Sequence, residues 1–232
     1  MGVVSYYARQ RDRHMGLHLL LLPLLLPLFT SCSISLFPGY QRQAETGAVA
    51  PASWFQSDSS HFLFNTKIDL MRNHFSGLMV VKPFPDSSYR VVFLTEVGLK
   101  IFDMEFMPNR QVKVHYMMDA MNRKALVNTL SNDISLVLMN GLQRIQPEVL
   151  GQKDSHDLVF RFKNGSRKNC YYVATQNNRP YLARQVVGIN RKVTADLFGN
   201  PHTGIDSVKI KHDNLRLAIS LYRIIENPHA AE

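Results

Sequence analysis

The 232-residue chain has only two cysteines, Cys32 and Cys170, and a single tryptophan, Trp54. One cysteine pair is too few for a small disulfide-stapled scaffold, so an apolar core must stabilise the fold. There is no C-x-x-C and no H-E-x-x-H, and Ser76-Gly77 and Ser166 lack the strand-to-helix setting of a nucleophile elbow. His61, His74, His115, His156, His202 and His212 are spread without paired ligand spacing. Asp103 and Glu105 share one side of the strand-like "GLKIFDMEF", a spacing that suits general acid and base work. They are read as solvated strand carboxylates, and the chain as a non-enzyme with no metal or cofactor. Acidic residues are also scarce: 27 Lys and Arg stand against 18 Asp and Glu, a net charge of +9. The basic residues are scattered singly, without the dense run that would mark a nucleic-acid partner.

Long apolar runs are absent except at the start. Arg9, Arg11, Arg13 and His14 precede a leucine-rich stretch with two prolines over 17–29. That is the charged and apolar order of an export signal, and it falls short of the ~20 apolar residues a spanning helix needs. Residues 1–31 are therefore expected to be an export signal that is removed, with Met15 as a second candidate start. The stretch "LFTSCS" then places Cys32 directly after the small Ser31. It resembles a bacterial lipoprotein signal, in which that cysteine becomes the lipidated first residue. An ordinary secretory signal with a chance cysteine is the other reading. If Cys32 carries the lipid, Cys170 has no partner within the chain, and its run "KNCYYVA" makes it a small buried apolar residue. Loss of 1–31 removes three arginines and one aspartate. That leaves 24 basic and 17 acidic residues, an excess suited to an anionic membrane surface or an acidic partner.

Residues 32–59 are rich in Pro, Gly, Ala, Ser and Gln and have no sustained period, as in a tether, with a short helix over 50–56 as the rival reading. From there the period is two. "FNTKIDL" sets Phe64, Thr66, Ile68 and Leu70 on one side and Asn65, Lys67 and Asp69 on the other. "FSGLMVVK", "YRVVFLTE", "GLKIFDMEF" and "QVKVHYM" continue the series, broken by turn residues at 83–88 and 107–110. Over 119–140 the period changes: Leu126, Leu130, Ile134, Val137 and Leu138 recur at three and four. Asp119 is the expected N-cap and Gly141 the stop, for one helix or for two broken near Ser131 and Asn132. Strands resume at "DLVFRF", turn at Asn164-Gly165, and continue through "LRLAISLYRI". About ten strands around one or two helices predict a mainly β domain over 60–232. Its curved antiparallel sheet forms an open half-barrel covered by the helical segment.

The ordered stretches "FSGLMVVK", "SYRVVFLTEVGLKIFDMEF", the helical insert, the hairpin over 157–174 and "GIDSVKIKHDNLRLAISLYRI" are similar to the LolA/LolB superfamily. The outer-membrane receptor branch, LolB, is the nearest in pattern. The resemblance spans residues 60–225. It implies a half-barrel that receives acyl chains of lipoproteins or lipids, a periplasmic carrier protein as delivery partner, and a role in lipoprotein localisation. It also implies an apolar loop that touches the membrane; the matching stretch "TEVGLK" puts Val97 and Gly98 there, although an ordinary hairpin turn explains them equally. Ser33 after the lipidated cysteine implies the outer membrane, with the domain facing the periplasm.

An acyl cavity also has a physical case. Phe64, Phe75, Met79, Phe93, Ile101, Met118, Leu126 and Leu130 are the expected lining, and thioether and aromatic side chains adapt to flexible apolar ligands. Each buried methylene contributes ~0.8 kcal/mol, so a long chain needs no polar site. Two readings follow: a lipid-handling receptor or carrier, and a non-catalytic envelope scaffold that binds a protein or peptidoglycan.

Overall fold

The computed structural model describes residues 37–43, 49–55, 61–152, 155–174, 176 and 178–225. Cys32 and the leader lie outside the described residues. Residues Phe37–Glu232 form one compact unit. In chain order its strands are β1 (Tyr40–Arg42), β2 (Phe62–Leu70), β3 (Asn73–Pro83), β4 (Tyr89–Thr95), β5 (Lys100–Phe106) and β6 (Val112–Met117). A helix, α1 (Lys124–Leu138), follows. Then come β7 (Glu148–Gln152), β8 (Asp157–Asn164), β9 (Arg167–Ala174), β10 (Pro180–Val187), β11 (Asn190–Asn200), β12 (Gly204–His212) and β13 (Leu217–Ile224).

Alternation in the sequence becomes alternation in burial. In β2 the side chains of Phe62, Phe64, Thr66, Ile68 and Leu70 are buried, while Asn65, Lys67 and Asp69 are exposed. Gly77 in β3 is required by a close approach: a Cβ there would lie 1.9 Å from the Leu94 carbonyl oxygen of β4. The β8–β9 hairpin turns through Gly165, at a φ of +59°, next to Asn164 as its composition predicts.

All thirteen strands form one antiparallel sheet, in the order β1-β7-β8-β9-β10-β11-β12-β13-β2-β3-β4-β5-β6. The last strand pairs with β2, Ile219 opposite Ile68, so the two halves of the chain meet in mid-sheet. The sheet is strongly curled, and α1 measures the curl. Tyr171 of β9 donates to the Leu136 carbonyl of α1 at 2.9 Å, and Ser131 of α1 contacts Met104 of β5 at 3.8 Å. Eight ladder steps separate β9 from β5. Laid flat, those steps would span ~38 Å at ~4.8 Å each, whereas a helix with its side chains is only ~10–12 Å across. The sheet is therefore an open half-barrel with α1 on its concave face.

The helix departs from expectation at its start. Asp119 opens a short 3-10 turn over Asp119–Met121, and α1 begins at Lys124 with no side-chain cap from Arg123. No break occurs at Ser131 and Asn132, and the helix runs through; the side-chain amide of Asn132 donates to the Asn128 carbonyl at 2.5 Å. It ends with Met139 in the left-handed region, two residues before Gly141. A Cβ at Gly141 would meet Arg110 Cγ at 2.3 Å, so glycine is needed there for space as well as for its φ of +66°.

Two strands exceed the expected set. β1 and β7 pair with each other, and β7 extends the sheet beyond β8. β1 falls within the span read as a tether, as do the buried Phe37, Ser53, Trp54 and Phe55. Residues 50–55 contain a turn but no helix. Ser53 Oγ donates to the Leu138 carbonyl at 2.9 Å, and Trp54 Nε1 to the Pro180 carbonyl at 2.7 Å. This segment thus supplies one of the donors that the carbonyls at the helix C-terminus lack.

Candidate functional site: the concave face and the end of α1

The apolar stripe of α1 faces the sheet. Leu130, Ile134, Val137 and Leu138 meet Ile68 of β2, Met79 and Val81 of β3, Phe102 of β5, Ile210 of β12 and Ile219 and Leu221 of β13, with Phe55 above them. Together they enclose an apolar space of about 20 Å³. That is room for roughly one water-sized sphere. With α1 seated, the lumen of the half-barrel is filled by protein.

Of the residues expected to line an acyl cavity, Met79 and Leu130 do so. Phe64, Phe93 and Ile101 are wholly buried in the same core but stand behind the lining, and Phe93 packs on Phe102 with ring centres 5.5 Å apart. Leu126 is buried one turn before Leu130, and Phe75 and Met118 pack half-buried at the margin of the core. The lining contributed by β12 and β13 and by Phe55 was not singled out from the sequence. Its signal was the same alternation that marked the early strands.

The two ends of α1 are held unequally. Its C-terminal carbonyls accept from Ser53 and Tyr171, and the Asn140 amide ties the next turn to the Met107 carbonyl at 3.1 Å. At its N-terminal end there is no capping side chain, the first turn has no acidic residue, and Lys124 follows Arg123. Positive charge at a helix N-terminus opposes the macrodipole, so this half of α1 depends on packing alone.

A second space, of about 250 Å³, lies beside α1 at one end of the sheet. Its walls are Thr129, Asn132 and Asp133 of α1, Arg167, Gln185 and Val187 of β9 and β10, Lys192, Val193 and His212 of β11 and β12, and the turn residues Asn214 and Leu215. Asp133 Oδ2 lies 2.7 Å from His212 Nε2, with the two side chains 1% and 6% exposed. Burial pushes the Asp133 carboxyl upward, against the hydrogen bond from His212 and the nearby charge of Arg167. The one hydroxyl among these lining residues, on Thr129, donates to the Ala125 carbonyl at 2.8 Å.

Asp103 and Glu105 differ from the solvated pair expected. Asp103 is 6% exposed and held by Arg90 at 2.5 Å and Lys100 at 3.2 Å; Glu105 meets His115 at 2.7 Å. Cys170 is fully buried, and desolvation pushes its thiol up to about 11, the behaviour of an inert packing residue.

The strand register brings several turns to one end of the sheet. Leu70 pairs with Leu217, Val193 with His212, and Val187 with Arg167. The turns at 71–72, 96–99, 188–189 and 213–216 therefore share the end at which the polar pocket lies. Their tips carry exposed Met71, Val97, Leu99 and Ile189. Val97 is 82% and Leu99 63% exposed, on either side of Gly98 at a φ of +82°. The tip is closed by Gly98 N–H to the Thr95 carbonyl at 2.9 Å and by Leu99 N–H to Thr95 Oγ1 at 3.0 Å. Leu99, the second apolar group of this tip, was not singled out from the sequence.

An open antiparallel half-barrel with a helix across its concave face is thus the class of protein this chain forms. No protein-family model matches the chain, and neither does any curated protein. Among solved structures it is similar to a DUF1329 family protein from Desulfovibrio piger, at 7% identity and a TM-score of 0.41, covering 72% of this chain and 85% of that one. It is also similar to a domain described as an outer membrane lipoprotein-sorting protein from Vibrio parahaemolyticus, at 8% identity and a TM-score of 0.43, covering 79% and 89%. A LolA superfamily protein from Nitrosomonas europaea gives 12% identity and a TM-score of 0.40, covering 75% and 90%. Likeness at this level concerns the fold alone.

Proposed function

We propose that this protein is a non-catalytic lipid-handling lipoprotein, which takes an acyl chain of a lipoprotein or lipid between α1 and the concave face of its sheet. The supporting observation is the stripe Leu130, Ile134 and Val137 laid on Ile210, Ile219 and Leu221, an apolar interface with no polar group in it. An acyl chain is a chemical substitute for that stripe. Unseating the four helix side chains of this lining, Leu130, Ile134, Val137 and Leu138, costs about 8 kcal/mol at roughly 2 each, and a chain of about fourteen methylenes regains about 11 at ~0.8 each. Near balance between these terms makes binding reversible, as loading and release require. Opening starts at the uncapped N-terminal end of α1, nearest to Leu130, and has to reach Ile134, Val137 and Leu138 in its C-terminal half.

In this reading Cys32 carries the lipid anchor, on the periplasmic side of an outer membrane, and a periplasmic carrier protein delivers the client. Val97, with Leu99, dips into the bilayer at the Gly98 tip. Basic side chains at the same end, among them Arg72 and Arg216, suit an anionic lipid surface.

The test is organic extraction of the purified protein followed by lipid mass spectrometry, with titration of a fluorescent fatty acid alongside. Stoichiometric lipid or saturable micromolar binding supports the proposal. A lipid-free protein that binds no fatty acid but retains a protein or peptidoglycan partner favours the scaffold reading, to which the nearly filled lumen lends weight.

A further inference from the structure

We infer that the polar pocket at the end of α1 is a binding site for a phosphate ester, placed to hold the head of an amphiphile whose chain enters the apolar lumen. The chain half of this inference rests on the proposed function; the anion half rests on the pocket alone.

The charge of the pocket comes first. Asp133 and His212 sit 2.7 Å apart and nearly excluded from solvent. The one carboxylate in this wall is thus taken up by His212. Arg167 and Lys192 add two positive charges to the wall, and among the described residues no carboxylate stands within ion-pair distance of either. A guanidinium fork and an ammonium in one recess form a donor set that matches the several oxygens of a phosphate group. Asn132 and Asn214 add amides to the same wall.

Size and position narrow the ligand. A space of about 250 Å³ takes a small polar head but not a folded peptide or a sugar chain. The pocket adjoins the lumen through two elements. On β12, Ile210 lines the apolar space and His212 the polar one; on α1, Leu130 and Ile134 line the first, and Asp133 between them lines the second. Residues two apart on a strand share a face, so head and chain sites follow one another along the same surface. The pocket lies at the end of the sheet that carries the exposed apolar tips, where a ligand leaving a membrane would arrive.

The experiment titrates the purified full chain with four ligands: lysophosphatidic acid, a monoacylglycerol of the same chain, glycerol 3-phosphate and inorganic phosphate. It is repeated on the Arg167→Gln/Lys192→Gln variant, so that any contribution of the leader is common to both. Charged hydrogen bonds of this kind predict lysophosphatidic acid binding at least about tenfold tighter than the monoacylglycerol, a gap that closes to within about twofold in the variant. Glycerol 3-phosphate binding as tightly as the lysolipid, and lost in the variant, also supports the site and assigns it to a free phosphate ester. Equal affinity for the lysolipid and the monoacylglycerol in both proteins overturns the phosphate site while leaving acyl binding intact. Binding of glycerol 3-phosphate with no binding of either acylated ligand keeps the site and overturns the acyl reading. If none of the four ligands binds, both are overturned.

Discussion

Asp133 on α1 and His212 on β12, 79 positions apart in the chain, face each other at 2.7 Å with almost no solvent around them. This is the one polar fastening between the sheet-facing side of the helix and the strands beneath it among the described residues of the polar pocket. Removing one partner leaves the other largely buried without its hydrogen-bond partner. His212→Ala is expected to lower stability by about 3 kcal/mol, and the double change Asp133→Leu/His212→Leu to recover most of it. Urea unfolding of the three proteins measures this. A single variant within about 0.5 kcal/mol of the parent would mean that the pair is solvated and the helix unfastened there.

Leu130 is fully buried and touches the small apolar space. Truncation to alanine is expected to cost about 3 kcal/mol and to enlarge a void that stays dry. The same change should strengthen binding of a fluorescent fatty acid, since less packing is lost when the chain enters. Weaker binding alongside lower stability would place the acyl site elsewhere.

These two residues show how far the sequence could be read. The stripe through Leu126, Leu130, Ile134 and Val137 was plain from its spacing, as were the five strands before it, because periodicity reports the buried face of an element directly. Asp133 lies on that same stripe, and an acid on an apolar face needs a partner. The need was legible; the identity of His212 was not, because only the curl of the sheet brings β12 under the helix. β1 and β7 escaped notice because they are three and five residues long, and Gly151 interrupts β7. That the lumen is filled, with Phe64, Phe93 and Ile101 behind its wall, is a matter of packing, which alternation cannot express.

Trp54 tests the segment before β2. Its indole is 5% exposed, donates to the Pro180 carbonyl and lies under the Arg179 guanidinium at 5.5 Å. Trp54→Ala is expected to cost about 3–5 kcal/mol by thermal or urea unfolding. As the sole tryptophan it also reports on itself: native emission should be that of a buried indole and shift to the red on unfolding. Red-shifted emission in the native protein would show that this segment is detached and serves as a tether.

Two carboxylates tie stability to acid. Hydrogen bonding from Arg161 holds Glu148 below its ordinary value of 4.5. Burial by itself raises Asp103, but the hydrogen bonds from Arg90 and Lys100 outweigh it and hold that carboxyl below 3.8. A depressed value means that the unfolded chain binds the proton more tightly. The stabilisation is therefore complete above the ordinary values and is lost as pH falls below about 4.5 and then below 3.8. Unfolding free energies measured from pH 6 to pH 2 should fall along this course. Asp103→Asn and Glu148→Gln should each flatten it, and a slope unchanged in both variants would show that neither pair forms in solution.

Val97 and Leu99 are mostly exposed at a turn, so Val97→Glu/Leu99→Glu should leave stability within about 0.5 kcal/mol of the parent. Its binding to vesicles containing anionic lipid should nevertheless fall severalfold by flotation, because two apolar side chains are lost and two charges gained at the contact. Unchanged flotation would remove this tip from the membrane contact.

An acyl chain held between α1 and the concave sheet would lie within reach of the lining side chains. Photo-crosslinking with a diazirine fatty acid, followed by mass-spectrometric mapping of the labelled residues, examines this placement most directly. Label is expected on Met79, Leu130, Ile134, Val137, Ile210 and Ile219, suppressed by excess unlabelled fatty acid. Label confined to the exposed tips or the leader, or label that excess ligand does not suppress, would contradict it.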